Sequence, residues 1–95
     1  MKAYIHLIKY ALSKGASVSI FDGEEWSLAK CKSYKAIKEE IEALEECTLR
    51  FTDAEGNRLG SALITPFEPA EETVADYSDN AFFAEWQEQY DTINQ

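Results

Sequence analysis

The side chains best suited to chemistry in this chain are its carboxylates, one histidine and two cysteines, and their spacing argues against catalysis. His6 is the only histidine. A nucleophilic dyad or triad needs such a base beside a serine or cysteine and an orienting acid. The periodicity of residues 4 to 14 instead puts His6 at the polar edge of a helix, near Lys9 and Ser13, as a surface residue. Cys31 and Cys47 are too few for a disulfide framework. Neither has a second Cys or His two to four residues away, the spacing a zinc site uses. They read as small half-buried residues at strand ends. Asp53-Ala54-Glu55-Gly56-Asn57 shares features with a calcium loop, but an EF-hand needs glycine sixth and glutamate twelfth. Here Gly56 is fourth and Ile64 twelfth, so a turn between strands is expected. Asp76, Asp79 and Asn80 offer oxygens to a hard cation, yet a helix cap at Asp79 accounts for them without metal. The absence of a glycine-rich phosphate loop disfavours nucleotide binding. No enzyme, metal or cofactor is expected.

Acids are abundant but fall on the predicted solvent faces, whereas general acid–base work requires buried carboxylates with altered pKa values. Their layout is uneven. Residues 1–36 carry six lysines against three acids, and residues 37–95 carry Lys38, Arg50 and Arg58 against fifteen acids. The net charge is −9, and no basic residue follows Arg58. Such an excess disfavours contact with nucleic acid or an anionic membrane and favours encounter with a basic partner. Glu39, Glu42 and Glu46 on one predicted helix, and Glu85 and Glu88 on another, have three- and four-residue spacing. That spacing sets Cβ atoms about 5 to 6 Å apart, comparable with the roughly 6–7 Å between successive phosphates. Rows of carboxylates can therefore occupy the Lys and Arg sites of a nucleic-acid-binding protein.

The elements that must carry these residues follow from periodicity. At 95 residues, 45% apolar with twelve aromatics, the chain has the material for one folded domain. No apolar run of about 18 residues and no signal-peptide pattern occurs, so a cytoplasmic protein is expected. Tyr4, Ile5, Ile8, Ala11 and Leu12 recur at helical spacing up to Gly15, although Ala3–Ile8 alone would also fit a strand. Ala16–Phe21 and Glu25–Cys31 form a hairpin around Asp22-Gly23-Glu24, with Ile20 facing Trp26 and Val18 facing Leu28. Ser33 caps a second helix with Tyr34, Ile37, Ile41 and Leu44 inward. Its lysines lie near the N-terminus and Glu45 and Glu46 near the C-terminus, the reverse of what the helix dipole prefers. Cys47–Thr52 and Arg58–Thr65 form a second hairpin with Phe51 facing Leu59, so that Leu49, Cys47, Ser61 and Leu63 share a side.

The halves resemble a weak αββ repeat, Val18, Ile20 and Asp22 aligning with Leu49, Phe51 and Asp53. Pro66 and Pro69 end strand pairing. The expected layout is therefore an αββαββ core over 1–65, an acidic extended segment over 66–78 and a C-terminal helix over 79–94 capped by Asp79. At about 100° per residue, Phe82, Phe83, Tyr90 and Ile93 lie within about 60° of Trp86. That face either docks on the core or meets a partner. The fold class is α+β, a four-stranded antiparallel sheet from two hairpins in α-ββ-α-ββ-α order, with helices mainly on one face.

Short length, acidity, the lack of a catalytic motif and the segment from Glu71 to Trp86 (EETVADYSDNAFFAEW) are similar to small accessory proteins of tailed bacteriophages. Some proteins of that kind imitate nucleic acid electrostatically and inhibit host restriction, CRISPR or repair enzymes. The resemblance carries over no residue of assigned role, and the basic N-terminal third departs from an evenly acidic mimic. It implies a non-enzymatic binding module that docks on a basic protein, such as a host nucleic-acid enzyme, without contacting nucleic acid or membrane. The expected partner-binding residues are Glu39, Glu42, Glu46, Glu71, Glu72, Asp76, Tyr77, Asp79, Phe83, Glu85, Trp86 and Glu88, with Tyr77, Phe83 and Trp86 as apolar anchors. The alternatives are a homodimeric assembly protein pairing through Phe82, Trp86 and Tyr90, its acidity serving solubility, and a small enzyme or ligand-binding protein.

Overall fold

A computed structural model describes residues 1–93. Helix α1 (Ala3–Ser13) leads into a hairpin of β1 (Ser17–Phe21) and β2 (Trp26–Cys31). Helix α2 (Tyr34–Glu42) leads into a second, of β3 (Cys47–Thr52) and β4 (Arg58–Ile64). A 3-10 turn (Ala70–Glu72), a fifth strand β5 (Val74–Tyr77) and helix α3 (Ala81–Ile93) follow. The sheet is antiparallel, in the order β2-β1-β3-β4-β5. The α+β class stands, but the sheet has five strands rather than four. The stretch expected to be extended supplies the fifth: beyond the prolines, Val74 pairs with Ile64 and Tyr77 with Ala62. Residue 94 of the expected last helix lies outside the described residues.

Local chemistry sets the helix ends. Gly15 at φ +80° closes α1, its N–H donating to Leu12 and that of Ala16 to Ala11, a pattern that satisfies two orphan carbonyls. Ser33 Oγ accepts from Ala36 N–H at 3.3 Å to start α2. Asn80, not Asp79, caps α3. Its side-chain oxygen accepts from Phe83 N–H at 3.2 Å while its amide donates to the Leu59 carbonyl at 2.9 Å, tying the helix start to β4.

Both hairpin registers differ from the expected ones. Ile20 faces Leu28 and Phe21 faces Trp26; Phe51 faces Gly60 and Leu49 faces Ala62. In the second hairpin the shift is one residue, which exchanges the faces of β4. Ala62 and Ile64 are therefore buried, while Ser61 and Leu63 point away. A register break follows at Thr52, which faces Arg58. The hairpins join through β1 and β3, where Val18 pairs with Phe51, Ser19 with Arg50 and Ile20 with Leu49. The 31-residue offset maps this ladder onto itself, so the two hairpins are related by an approximate two-fold about the β1–β3 seam.

One core cluster fills the helix side of the sheet. Val18, Ile20, Leu49, Phe51, Ala62 and Ile64 meet Leu7, Ile8 and Ala11 of α1, Ile37 and Ile41 of α2, and Phe83, Trp86 and Tyr90 of α3. The last helix is thus docked on the core. At roughly 25 cal/mol per Å² of apolar surface removed from water, this cluster is the main source of stability. Polar ties fasten the C-terminal third to the N-terminus. Tyr4 N–H donates to the fully buried Thr73 hydroxyl (3.1 Å), Lys2 Nζ to the Pro66 carbonyl (3.0 Å) and Tyr90 OH to the Met1 carbonyl (3.3 Å).

Candidate functional site

The carboxylates do not form one surface. Helix α1 packs against both other helices, α2 leans on β1 and β2, and Phe83 of α3 meets Phe51 and Tyr77 at the far side. Lys9 and Lys14, exposed on and just beyond α1, thus stand between the acidic helices. On α2 the charges are offset locally: Lys35 approaches Glu39 at 4.0 Å and Lys38 binds Glu42 at 2.6 Å. Lys38 is accordingly held above the usual lysine range by Glu42. The helix stops at Glu42, so Glu45 and Glu46 lie in the bend before β3 and oppose no helix dipole, and Glu46 does not continue the row.

The C-terminal third is different. Tyr77, Asp79, Glu88 and Asp91 line one hollow of about 420 Å³, and Glu68, Glu71 and Glu72 with Val74 line another of about 440 Å³. These lie along β5, the edge strand, and its flanking segments. Asp76 pairs across from Leu63 on the sheet side away from the helices. Among the described residues, the one carboxylate here in an ion pair is Glu85, 2.8 Å from Lys14. Lys14, and then a hydrogen bond from Tyr10, hold Glu85 below the ordinary carboxylate range, while burial and then Glu85 push Tyr10 up to about 12. Glu85 is therefore spent on fastening α3 to α1.

Of the three anchors expected from sequence, only Tyr77 reaches the surface, at 38% exposure. Phe83 is fully buried and Trp86 is 2% exposed, so neither can meet a partner in this fold. Their period-3.6 stripe was equally compatible with core and interface, and the core claims it. The face expected to pair two copies packs internally instead, with Trp86 and Tyr90 buried and Phe82 part-buried. Tyr77 stacks on Phe83, meets Trp86 edge-on and donates its hydroxyl to Gln87 at 2.9 Å.

His6 is not a surface residue. It is 8% exposed against Tyr90, with ring centroids 5.5 Å apart, and its Nδ1 has no hydrogen-bond partner among the described residues. Burial, then the charge of Lys9, lowers its pKa. Cys47 is buried, its thiol pushed up to about 12 by burial and then by Glu40 and Glu46, which leaves it inert; Cys31 is part-exposed. Asp22 and Asp53 serve as turn acceptors. Asp22 Oδ1 receives Glu24 and Glu25 N–H, and Asp53 Oδ1 receives Glu55 and Asn57 N–H, all at 2.8–2.9 Å. These backbone donors lower both pKa values. Among the described residues no three His, Cys, Asp or Glu side chains converge as a metal site.

The sheet face away from the helices holds a cluster that the sequence reading missed. Phe21, Trp26, Thr48, Arg50, Arg58 and Ser61 line a groove of about 290 Å³. Trp26 is 43% exposed, with the Arg50 guanidinium 4.3 Å from its ring centroid and the Phe21 ring at 5.2 Å. The available signal was the alternation of Thr48 and Arg50 with the apolar residues of β3. The expected pairing of Trp26 with Ile20 turns the indole inward, whereas its pairing with Phe21 turns it out. Comparison with protein-family models, curated proteins and solved structures finds no match to the chain.

Proposed function

We propose that this protein is a non-enzymatic binding module that docks its acidic edge, formed by the 3-10 turn, β5 and the outer side of α3, on a basic surface of another protein. The observation that carries this reading is charge segregation. Glu68, Glu71, Glu72, Asp76, Asp79, Glu88 and Asp91 share one stretch of chain without a basic residue, and none is in an ion pair among the described residues. Tyr77 is the apolar anchor beside them, and the carboxylates set encounter rate and selectivity. Helix α2 takes no part, because Lys35 and Lys38 offset Glu39 and Glu42. A basic nucleic-acid enzyme is the partner class this charge suits, in keeping with the resemblance to phage accessory proteins, whose site would be the host cytoplasm.

The test is capture from bacterial lysate by the full chain at low and high salt, with two charge-reversal sets. Glu71→Lys, Glu72→Lys, Asp79→Lys and Glu88→Lys together should abolish capture, whereas Glu39→Lys with Glu42→Lys should leave it intact. Captured protein should also be released as salt rises. Retention of the same partner by the edge variant, or indifference to salt, would sink the reading.

A further inference from the structure

The two hairpins break register at equivalent places. In the first, Ile20 faces Leu28 but Phe21 faces Trp26, leaving Ser27 unmatched; in the second, Phe51 faces Gly60 but Thr52 faces Arg58, leaving Leu59 unmatched. An extra residue in one strand re-aims the side chain beyond it. With an unbroken ladder, Trp26 would share the core parity of Leu28, and Arg58 that of Gly60 and Ala62. The two breaks instead deliver one aromatic and one guanidinium to the helix-free face, on either side of Arg50.

Both arginines of the chain line this groove. Neither has a carboxylate partner among the described residues, although acids outnumber bases eighteen to nine and the ion pairs found all use lysine. A guanidinium stacked on an indole keeps its in-plane N–H fork free, the geometry that grips a phosphate with two parallel hydrogen bonds. Thr48 and Ser61 add hydroxyls, and no acid lines the groove. Two unpaired cations match a phosphate dianion, and the exposed Trp26, with the Phe21 ring tilted by 57° beside it, offers an indole on which a flat ring can stack. A volume of about 290 Å³ suits one small ligand. A net charge of −9 opposes a long polyanion.

We propose that this groove binds a free nucleoside monophosphate, its base against Trp26 and Phe21 and its phosphate held by Arg50 and Arg58. Side chains on a sheet hold the phosphate here, so a glycine loop at a helix N-terminus is not required. The groove shares its sheet face with Asp76 of the acidic edge but has none of that edge's residues in its lining, and it does not depend on the function proposed for that edge.

The chain contains its own probe, because Trp26 is exposed and Trp86, the other tryptophan, is buried. Titration of the full chain with adenosine 5′-monophosphate should quench fluorescence saturably, and Trp26→Phe should remove the quench while Trp86 still emits. Equilibrium dialysis should show affinity reduced at least about tenfold in Arg58→Gln and in Arg50→Lys, the latter keeping charge but losing the flat fork. Unchanged circular dichroism would show that both variants remain folded. Adenosine and inorganic phosphate alone should each bind more weakly than the joined molecule. Equal binding of inorganic phosphate, equal binding of adenosine, tighter binding of a single-stranded decanucleotide, or no saturation in the millimolar range would each overturn the proposal.

Discussion

The two faces of the sheet are built from the same strands by alternate residues, and they have opposite characters. The covered face presents Val18, Ile20, Leu49, Phe51, Ala62 and Ile64 to three helices. The open face presents Ser19, Phe21, Trp26, Thr48, Arg50 and Ser61 to no helix. Trp26 stands on the open face and Trp86 of α3 packs on the covered one, so one residue type serves packing on one side and display on the other. Stability resides in the first face, and the second is free to be shaped by what it touches.

The largest effect that can break this division comes from the tryptophans. Trp86→Ala should cost about 3–5 kcal/mol, most of the margin of a domain this small, whereas Trp26→Ala should cost less than about 1 kcal/mol. Urea unfolding of both variants decides it, and equal losses would mean that the open face is structural. The next effect tests how closely the covered face is packed. Gly60 has φ +136°, and a Cβ there would stand 2.7 Å from the Phe83 ring. Gly60→Ala should therefore destabilise by about 1–3 kcal/mol, measured the same way. A neutral result would show that α3 can slide on β4.

Smaller still is the strain on the edge of the open face. Lys30 has φ +45° where the β1–β2 register breaks, its N–H donating to Ser19 Oγ at 2.9 Å. Lys30→Gly should stabilise by up to about 1 kcal/mol, visible as a rise of a few degrees in Tm. The smallest effect is confined to a pH window. The folded state lowers the pKa of His6 from 6.5, so the unfolded chain binds the proton first and stability falls as pH drops below about 6.5. His6→Phe keeps the ring against Tyr90 and should flatten Tm between about pH 5 and 7. The depressed carboxylates Asp22, Asp53 and Glu85 should cost stability only at lower pH, as they protonate below their ordinary values of 3.8 to 4.5. A slope unchanged by His6→Phe would place the titration elsewhere.

What could be read before folding was local. Gly15 as a helix stop, Ser33 as a cap, and Asp22 and Asp53 as turn residues act within a few positions of themselves, and each does so in the structure. The strand register was not local. Leu59 or Gly60 could face Phe51 on pattern alone, and the choice is made by Phe83, more than twenty residues later, which leaves no room for a Cβ at the facing position. The register breaks in the two hairpins turn Trp26 and Arg58 outward, and packing in the core removes Phe83 and Trp86 from any interface. The β5 strand was hidden because four residues after two prolines carry little periodicity. Its pairing depends on the exposed edge of β4. The acidic edge was legible as composition and the Lys35–Glu39 and Lys38–Glu42 pairs are local to α2, whereas the Lys14–Glu85 pair depends on where α1 lies against α3.

The ties between Met1 and Tyr90, Lys2 and Pro66, and Tyr4 and Thr73 set an order of events during synthesis. While the ribosome still holds the last third of the chain, the first helix can meet α2 and β1 but lacks its ties to Thr73 and Tyr90, and Phe51 lacks the cover of Phe83. The core is complete only once the aromatic helix has left the exit tunnel, because Phe83, Trp86 and Tyr90 supply its last layer.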